Sequence, residues 1–201
     1  DPFGATGDFI TAPEISQVFG ECLGAWCIDL WMQMGSPAQF RLVELGPGRG
    51  TLMSDLLRAG RLHKPFLEAC SVALVEVSPF LREQQRRKLS LQHVSWFNRF
   101  DDVPQDQPLI VVANEFFDAL PARQFVRTAD GWLERCVGID VDGAFMFGVL
   151  PHPEQSALIP APLRGSPPGS IFELCDESLQ HGMAIGRALS ACGGALLAID
   201  Y

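Results

Sequence analysis

The stretch Leu42-Val43-Glu44-Leu45-Gly46-Pro47-Gly48-Arg49-Gly50-Thr51 decides the fold of this chain. A short apolar run ends in a glycine-rich turn, and apolar residues at helical spacing follow as far as Gly60. This order predicts a strand, a tight loop and the start of a helix. Glycine accepts positive φ angles and lets a ligand approach the backbone closely, and a helix start offers unpaired N–H groups at the positive end of a dipole. The loop therefore suits a ligand that carries a carboxylate or a phosphate.

The spacing of the glycines narrows the class of ligand. Dinucleotide-binding folds use G-x-G-x-x-G after a strand, and phosphate-binding P-loops end in Gly-Lys-Ser or Gly-Lys-Thr. Here the glycines fall at Gly46, Gly48 and Gly50, and the pattern is E-x-G-x-G-x-G. This pattern resembles motif I of the class I S-adenosylmethionine (SAM) methyltransferases. The resemblance implies that the three glycines bind the cofactor and that Glu44 lies near its methionine end. The alternative is an ordinary strand-to-helix turn.

A second carboxylate lies near the end of the next predicted strand, residues 72–77. Residues 72–77 form an apolar run that is interrupted by Glu76, and Ser78 and Pro79 then begin a helix as its N-cap and first residue. A carboxylate at a strand end can accept hydrogen bonds from both ribose hydroxyls of a nucleoside. Glu76 is therefore predicted to bind the cofactor ribose. Nicotinamide cofactors are held in the same way, so Glu76 alone does not separate the two classes.

Composition limits the number of domains and the classes of protein to which the chain can belong. The 201 residues are 47% hydrophobic, which is enough for one domain with a substantial core. The net charge of −9 argues against a broad nucleic-acid surface. No apolar run reaches the roughly 18 residues of a membrane-spanning helix, and no signal peptide is visible. The six cysteines form no C-x-x-C pair and are predicted to be reduced, and the four scattered histidines give no support for a metal site.

The rest of the chain alternates between strand and helix patterns. A capping box, Thr11 to Glu14, opens a helix that is predicted to continue to residue 34, where Gly35 ends it. The further predicted strands cover 40–45, 94–97, 109–113 and 195–201, and the further helices cover 51–60, 65–70 and 79–90. Three short segments, 124–128, 132–140 and 145–150, predict an antiparallel meander. A second capping box, Ser170 to Glu173, is predicted to open a helix that continues to Cys192.

Polar side chains at two further strand ends are candidate site residues. Near the end of the third strand, Asn98, Asp101 or Asp102 is predicted to contact the adenine of the cofactor. After the fourth strand, Asn114 is predicted to bind the cofactor. Glu115 and Asp118 follow it beside two phenylalanines. Ligands of open α/β sheets bind beyond the carboxyl ends of the strands, so this segment should face the cofactor. Its carboxylates and aromatic rings suit a cationic group.

The order of elements predicts an α/β protein with a Rossmann-like SAM-dependent methyltransferase fold. The sheet is expected to be mostly parallel, with helices on both faces and an inserted antiparallel meander. The whole chain is predicted to be one SAM-binding domain. Its expected parts are an N-terminal loop and helix (1–38), a cofactor-binding core (39–122), a meander with a Pro-rich insertion (123–170), and a final helix and fifth strand (171–201).

Four segments resemble one family. Residues 7–17, 44–50, 114–121 and 199–201 are similar to the MidA-like methyltransferases, whose mitochondrial members assist assembly of respiratory complex I. The resemblance implies a protein arginine methyltransferase that acts on a subunit of the NADH–quinone oxidoreductase, in the mitochondrial matrix of a eukaryote or the bacterial cytoplasm. Members of the family extend further at both ends, and their sheet adds two strands after the fifth. The chain is therefore expected to be truncated.

The mechanism expected from this resemblance uses carboxylates to hold a guanidinium. They bind it by bidentate hydrogen bonds and direct electron density to the attacking nitrogen. Glu115 and Asp118 are the candidates, and Glu173 is a third whose alternative role is a helix cap. A homodimer through the helix at 14–34, which carries Trp26 and Trp31, is a further expectation.

Three other functions stay open at this point. The first is a non-catalytic SAM-binding assembly factor, and the second is a methyltransferase for small molecules or RNA. The third is a nicotinamide oxidoreductase, although the glycine spacing and the lack of an obvious His, Tyr or Lys at a hydride site weigh against it.

Overall fold

The structure is a computed structural model that describes residues 12–89, 94–150 and 157–200. The described chain forms two compact units. The first comprises the residues up to Ala119 together with those from Gln180 onward, and the second is Leu120–Leu179. No helix in these ranges combines the length and the apolar character needed to cross a membrane.

A parallel sheet of five strands forms the centre of the first unit, in the order β3-β2-β1-β4-β9. Its strands are β1 (Phe40–Leu45), β2 (Cys70–Val75), β3 (Val94–Phe97), β4 (Leu109–Asn114) and β9 (Gly194–Ile199). The helices are α1 (Ala12–Ile15), α2 (Gln17–Gln33), α3 (Thr51–Gly60), α4 (Lys64–Ala69), α5 (Pro79–Lys88) and α6 (Asp176–Cys192), and a 3₁₀ turn covers Phe100–Asp102. The predicted α/β class and the parallel sheet are confirmed.

The alternating side chains of the central strands enter two separate cores. Leu42 of β1 packs with Trp31, Leu56 and Phe66 of the helices on one face. The next residue, Val43, packs with the buried side chains of α6 on the other face. Because β4 is buried on both faces, its residues 109–113 are a continuous apolar run rather than an alternating one. The first unit therefore has a sheet between two helical layers.

The long N-terminal helix differs from its prediction in one detail. Ser16 has extended dihedral angles and separates α1 from α2, while the predicted cap Thr11 lies outside the described residues. At the other end, Gly35 has φ of 86° and follows the last helical residues in a Schellman turn. The N–H groups of Gly35 and Ser36 donate to the carbonyls of Met32 and Trp31, each at 3.0 Å.

The two tryptophans of α2, Trp26 and Trp31, are largely buried. Trp31 is buried against Phe40 and Phe66, and its indole N–H donates to the Pro37 carbonyl at 3.0 Å. Trp26 is half-buried against the same core. The two tryptophans therefore stabilise this core. Because Trp31 is buried there, it gives no support to the predicted homodimer.

The second unit is a four-stranded antiparallel sheet in the order β7-β6-β5-β8. Its strands are β5 (Arg123–Thr128), β6 (Gly131–Ile139), β7 (Phe145–Val149) and β8 (Ile171–Leu174), and a 3₁₀ turn covers Ala161–Leu163. Phe125, Trp132 and Ile159 form its small core. The predicted meander corresponds to β5, β6 and β7.

The prediction that the capping box Ser170 to Glu173 opens a helix is wrong. Residues 171–174 form β8, which pairs with β5, and the helix begins only at Asp176. Every other residue of Ile171–Leu174 is more exposed than its neighbours, which is the period of a strand at a half-buried sheet. Glu173 therefore does not cap a helix, and its carboxylate instead accepts a hydrogen bond from Gln124 at 2.6 Å.

Two glycines of α2 allow it to pack unusually close to α3. A Cβ atom on Gly24 would lie 2.6 Å from the Ala59 Cβ and 2.7 Å from the Leu56 carbonyl oxygen, and one on Gly20 would lie 2.5 Å from the Asp55 Cβ. These distances are shorter than any real carbon contact, so a larger residue would push the two helices apart.

We expect Gly24→Ala to lower the free energy of unfolding by about 1–3 kcal/mol, because overpacking at a rigid backbone contact forces the helices to shift. Gly186→Ala in α6 is the matched control, since nothing lies within 4 Å of its added Cβ. It should raise the free energy of unfolding by about 0.5–1 kcal/mol through helix propensity. Denaturant titration of both variants tests this, and a Gly24→Ala protein as stable as wild type would contradict the close contact.

Candidate active site

The strand register brings three chain segments to one edge of the sheet. Leu45, the last residue of β1, pairs with Val75 of β2 and with Ala113 of β4. The residues that follow these strand ends therefore lie side by side. They include Gly46 and Glu76, two of the residues predicted to bind the cofactor.

The glycine loop has a backbone that only glycine adopts readily. Gly46, Gly48 and Gly50 have φ angles of 60°, 51° and 77°. A Cβ atom on Gly46 would lie 3.0 Å from the Phe116 ring. Gly50 precedes the first residue of α3, Thr51, so the open end of this helix adjoins the loop. The loop combines close backbone access with the positive end of a helix dipole.

A cavity of about 480 Å³ lies beside this loop, entirely within the first unit. Its size is within the usual range for a small-molecule site. The lining residues are Pro13, Glu14, Glu44, Gly46, Pro47, Gly48, Arg49, Thr51, Leu52, Glu76, Leu81, Asn114, Glu115, Phe116, Asp118 and Ala119. Five carboxylates and a single arginine are among them, so the wall is strongly acidic.

Glu44 is the most perturbed of these carboxyl groups. It is 3% exposed, and burial, with repulsion from Glu76 as a smaller cause, raises its pKa to about 8. The backbone N–H of Met53 donates to the carboxyl group and opposes this shift. Its Oε2 atom has no hydrogen-bond partner among the described residues. A buried carboxyl oxygen without a partner is costly, and a cationic or hydrogen-bonding ligand would satisfy it.

Glu76 lies just beyond β2 rather than within the strand as predicted, and it is held on several sides. Its Oε1 accepts the Ser78 backbone N–H at 2.8 Å, and its Oε2 accepts Gln85 Nε2 at 3.3 Å. Arg82 Nε donates to its carbonyl oxygen at 2.7 Å. Ser78 also caps α5, as predicted, by accepting the Leu81 N–H. The carboxylate is thus fixed at the cavity wall.

Sequence reasoning did not find Gln85. It is the buried residue of α5 and is fully inaccessible to solvent. Its Nε2 donates to the Gly48 carbonyl at 2.6 Å as well as to Glu76, and its Oε1 accepts the Trp96 indole N–H at 2.8 Å. The only available signal was a glutamine on the inner face of a polar helix, and that pattern has no specific local meaning.

The segment after β4 supplies the other acidic wall. Asn114 Oδ1 is buried without a partner among the described residues. Glu115 has φ of 50°, which is a strained conformation for a residue with a side chain. Partial desolvation, with repulsion from Asp200 and Glu115, raises the pKa of Asp118. Its backbone N–H donates to Asp200 Oδ1 at 3.2 Å.

Aromatic rings pack beside these carboxylates. The Phe116 ring, which lines the cavity, meets the ring of His181 edge to face, with 5.1 Å between centroids. Phe117 meets the Phe116 ring at 5.3 Å. These contacts join the segment after β4 to the part of α6 that belongs to the first unit. The carboxylates that follow β4 are therefore adjacent to closely packed aromatic rings.

Glu14 also reaches the cavity, although its predicted capping role lies partly outside the described residues. It accepts a hydrogen bond from the Thr51 hydroxyl, and Arg49 Nη1 lies 3.9 Å from its Oε2. Lys88 donates to the same Thr51 hydroxyl. Glu14 thus connects α1 to the glycine loop.

Four predicted site residues lie elsewhere. Asn98 is exposed after β3, where its Oδ1 accepts Arg82 Nη2 at 2.9 Å. Asp101 and Asp102 are exposed in the 3₁₀ turn. Glu173 belongs to the second unit. The roles proposed for these four residues stay predictions.

The donor set can be compared with what SAM requires. Glu44 and Asn114, each with a buried oxygen that has no partner among the described residues, line a cavity bordered by three glycines with positive φ, and a fixed carboxylate, Glu76, lies at the next strand end. This arrangement fits an amino acid joined to a nucleoside. By contrast, no group of three or more metal-binding side chains occurs in the part of the chain that the structure describes.

Comparisons with known proteins agree with this fit. The zebrafish (Danio rerio) and human proteins named protein arginine methyltransferase NDUFAF7, mitochondrial, are 39% and 37% identical to this chain over its full length. The chain spans about half the length of these relatives, 53% and 51%.

A Burkholderia thailandensis protein solved with S-adenosyl-homocysteine (SAH) has the same fold. It is 31% identical with a TM-score of 0.72, and the match covers 92% of this chain and 48% of that one. A family model described as S-adenosyl-L-methionine-dependent methyltransferase matches residues 22–201. The chain belongs to this family of SAM-dependent methyltransferases.

Proposed function

We propose that this chain forms the cofactor-binding and catalytic part of a SAM-dependent protein arginine methyltransferase. One observation carries the proposal: a cavity bordered by three positive-φ glycines is lined by Glu44 and Asn114, each of which has a buried oxygen with no hydrogen-bond partner among the described residues. Both oxygens need a hydrogen-bond donor, and the cationic cofactor of this family carries an ammonium group.

Different residues of the chain bind different parts of the cofactor. Glu44 receives the ammonium group of the methionine end, and the glycine loop with the start of α3 receives its carboxylate. Glu76 accepts the ribose hydroxyls with the lone pairs that Ser78 and Gln85 leave free. Bound SAM supplies an electrophilic methyl group on a sulfonium.

Glu115 and Asp118 hold the acceptor. A guanidinium is a poor nucleophile because its lone pairs are delocalised, so its orientation decides the rate. Two carboxylates beside the cavity can hold it by charge-assisted hydrogen bonds and leave one nitrogen facing the methyl group. A cation would also relieve the repulsion that raises the pKa of Asp118. Phe116 provides the adjoining apolar wall.

The names of the relatives support the proposed substrate class. Those with 35–39% identity are named protein arginine methyltransferases, and they are mitochondrial. We propose a protein substrate, with a subunit of respiratory complex I as the specific candidate. The corresponding place of action is the mitochondrial matrix in a eukaryote or the cytoplasm in a bacterium.

We expect the affinity for SAH to rise with pH between 6 and 8. Before binding, Glu44 with a pKa of about 8 is mostly protonated in this range, whereas the ligand ammonium prefers the carboxylate. Binding should therefore release up to about one proton, and affinity should rise by as much as about tenfold per pH unit. Calorimetry in buffers of different ionisation enthalpy measures both quantities on the full-length protein.

Glu44→Gln is the control for this titration. The amide cannot ionise, so its SAH affinity should be weaker at pH 8 and nearly flat from pH 6 to 8. A wild-type slope equal to that of Glu44→Gln would contradict the role of Glu44.

We expect Glu115→Gln and Asp118→Asn to lower kcat by about 100-fold, the scale of a charge contact made in the transition state. Their SAM affinity should stay within about twofold of wild type, because neither residue is assigned to the cofactor. Transfer of a labelled methyl group to arginine-containing protein substrates, with Arg→Lys versions as the acceptor control, measures turnover.

Glu68→Gln is the matched variant, since Glu68 is exposed on α4 and is not a lining residue. It should leave both kcat and affinity unchanged. Equal losses of affinity and turnover in the Glu115 and Asp118 variants would contradict the assignment. SAM binding by wild type without methyl transfer to any protein would instead favour a non-catalytic assembly factor.

A further inference from the structure

We propose that Gln85 is a positioning residue that sets the ribose preference of the cofactor site, an inference that rests on the proposed SAM function. It is not itself a lining residue of the cavity, but its side chain hydrogen-bonds two residues that are, Glu76 and, through the carbonyl, Gly48. It thus joins the carboxylate assigned to the ribose to the loop assigned to the methionine end.

The hydrogen-bond chemistry fixes the orientation of the Gln85 amide. The Trp96 indole N–H can only donate, so the atom 2.8 Å from it must be the amide oxygen. The amide nitrogen then faces the Gly48 carbonyl and Glu76 Oε2, which both accept. Each polar atom of this buried side chain is therefore satisfied in one orientation only, and Trp96 selects that orientation.

Burial makes this orientation effective. Gln85 is fully inaccessible to solvent, so water does not compete for its partners. The helix N-cap also contributes, because the Ser78 N–H holds the other oxygen of Glu76 at 2.8 Å. With one donor on each oxygen, the Glu76 carboxylate has a fixed plane, and its remaining lone pairs have fixed directions.

The backbone of the glycine loop depends on the same side chain. Gly50, with φ of 77°, lies against Gln85, so that an added Cβ would be 3.3 Å from the Gln85 Cγ. The amide also holds the Gly48 carbonyl at 2.6 Å, which fixes the orientation of that peptide within the loop. An apolar residue of similar size would fill the space but would leave three polar groups without a partner.

The test measures how strongly the protein distinguishes SAH from its 2′-deoxy analogue. Wild type should bind SAH at least about tenfold more tightly, the usual scale for a hydrogen bond to a charged group. Gln85→Leu should lose most of this ratio, as Glu76→Gln does, because the carboxylate no longer has a fixed plane. General loosening of the site would weaken both ligands equally and leave the ratio unchanged.

A second variant, Trp96→Phe, keeps the proposal testable if the Gln85→Leu protein fails to fold. It removes the N–H that selects the amide orientation and keeps a smaller aromatic ring at the same position, and it should lower the ratio by about two- to threefold. Gln84→Leu, the adjacent glutamine on the same helix, should leave the ratio as in wild type. In the double variant Gln85→Leu/Glu76→Gln, the ratio should be no lower than in Glu76→Gln alone, since both changes act on one contact.

The outcomes separate the inference from the function on which it rests. Wild type that binds neither ligand would overturn the proposed function itself. Wild type that prefers SAH, with the preference lost in Glu76→Gln but kept in Gln85→Leu and Trp96→Phe, would overturn the role of Gln85 alone. A reduced ratio in both Gln85→Leu and Trp96→Phe, with Gln84→Leu unchanged, is the expected result.

Discussion

The parallel register of β1 with its two neighbours is the constraint on which the candidate site depends. Since Leu45 is level with both Val75 and Ala113, three chain segments turn away from the sheet at the same height. Each turn then presents polar groups to one space. A shift of β2 or β4 by one residue would exchange its two faces and remove this alignment. The apolar side chains that fix the register thus also fix the distances within the cavity.

Burial at this edge of the sheet affects the carboxyl groups of Glu44 and Glu76 differently. The same apolar packing that makes β1 stable also encloses Glu44, whose pKa rises because its charge is poorly solvated. Glu76, one strand away, is equally buried but has donors on both of its oxygens. Two carboxyl groups with similar burial therefore differ in what they need, and only Glu44 still requires a positive partner.

Local patterns predicted most of the first unit because there they agree with the tertiary contacts. Continuous apolar runs, glycine turns and the Ser78 cap each have a physical meaning within a few residues, and β1 and α3 have the predicted bounds. The Ser170–Glu173 box failed because a capping signal cannot reveal a strand partner, and Ile171–Leu174 is fixed by its pairing with β5. Gln85 was missed for the same reason, since its meaning depends on Gly48 and Trp96.

The contact of Phe116 with His181 has a consequence for how the polypeptide can vary. These rings lie close together in the first unit, yet the sequence between them contains the entire second unit. Once β4, β9 and α6 fix those two points, the entropy of closing the intervening segment grows only with the logarithm of its length, about 0.6 kcal/mol per doubling. Loops within the intervening segment can thus lengthen at little energetic cost, while the cavity residues on either side keep their positions.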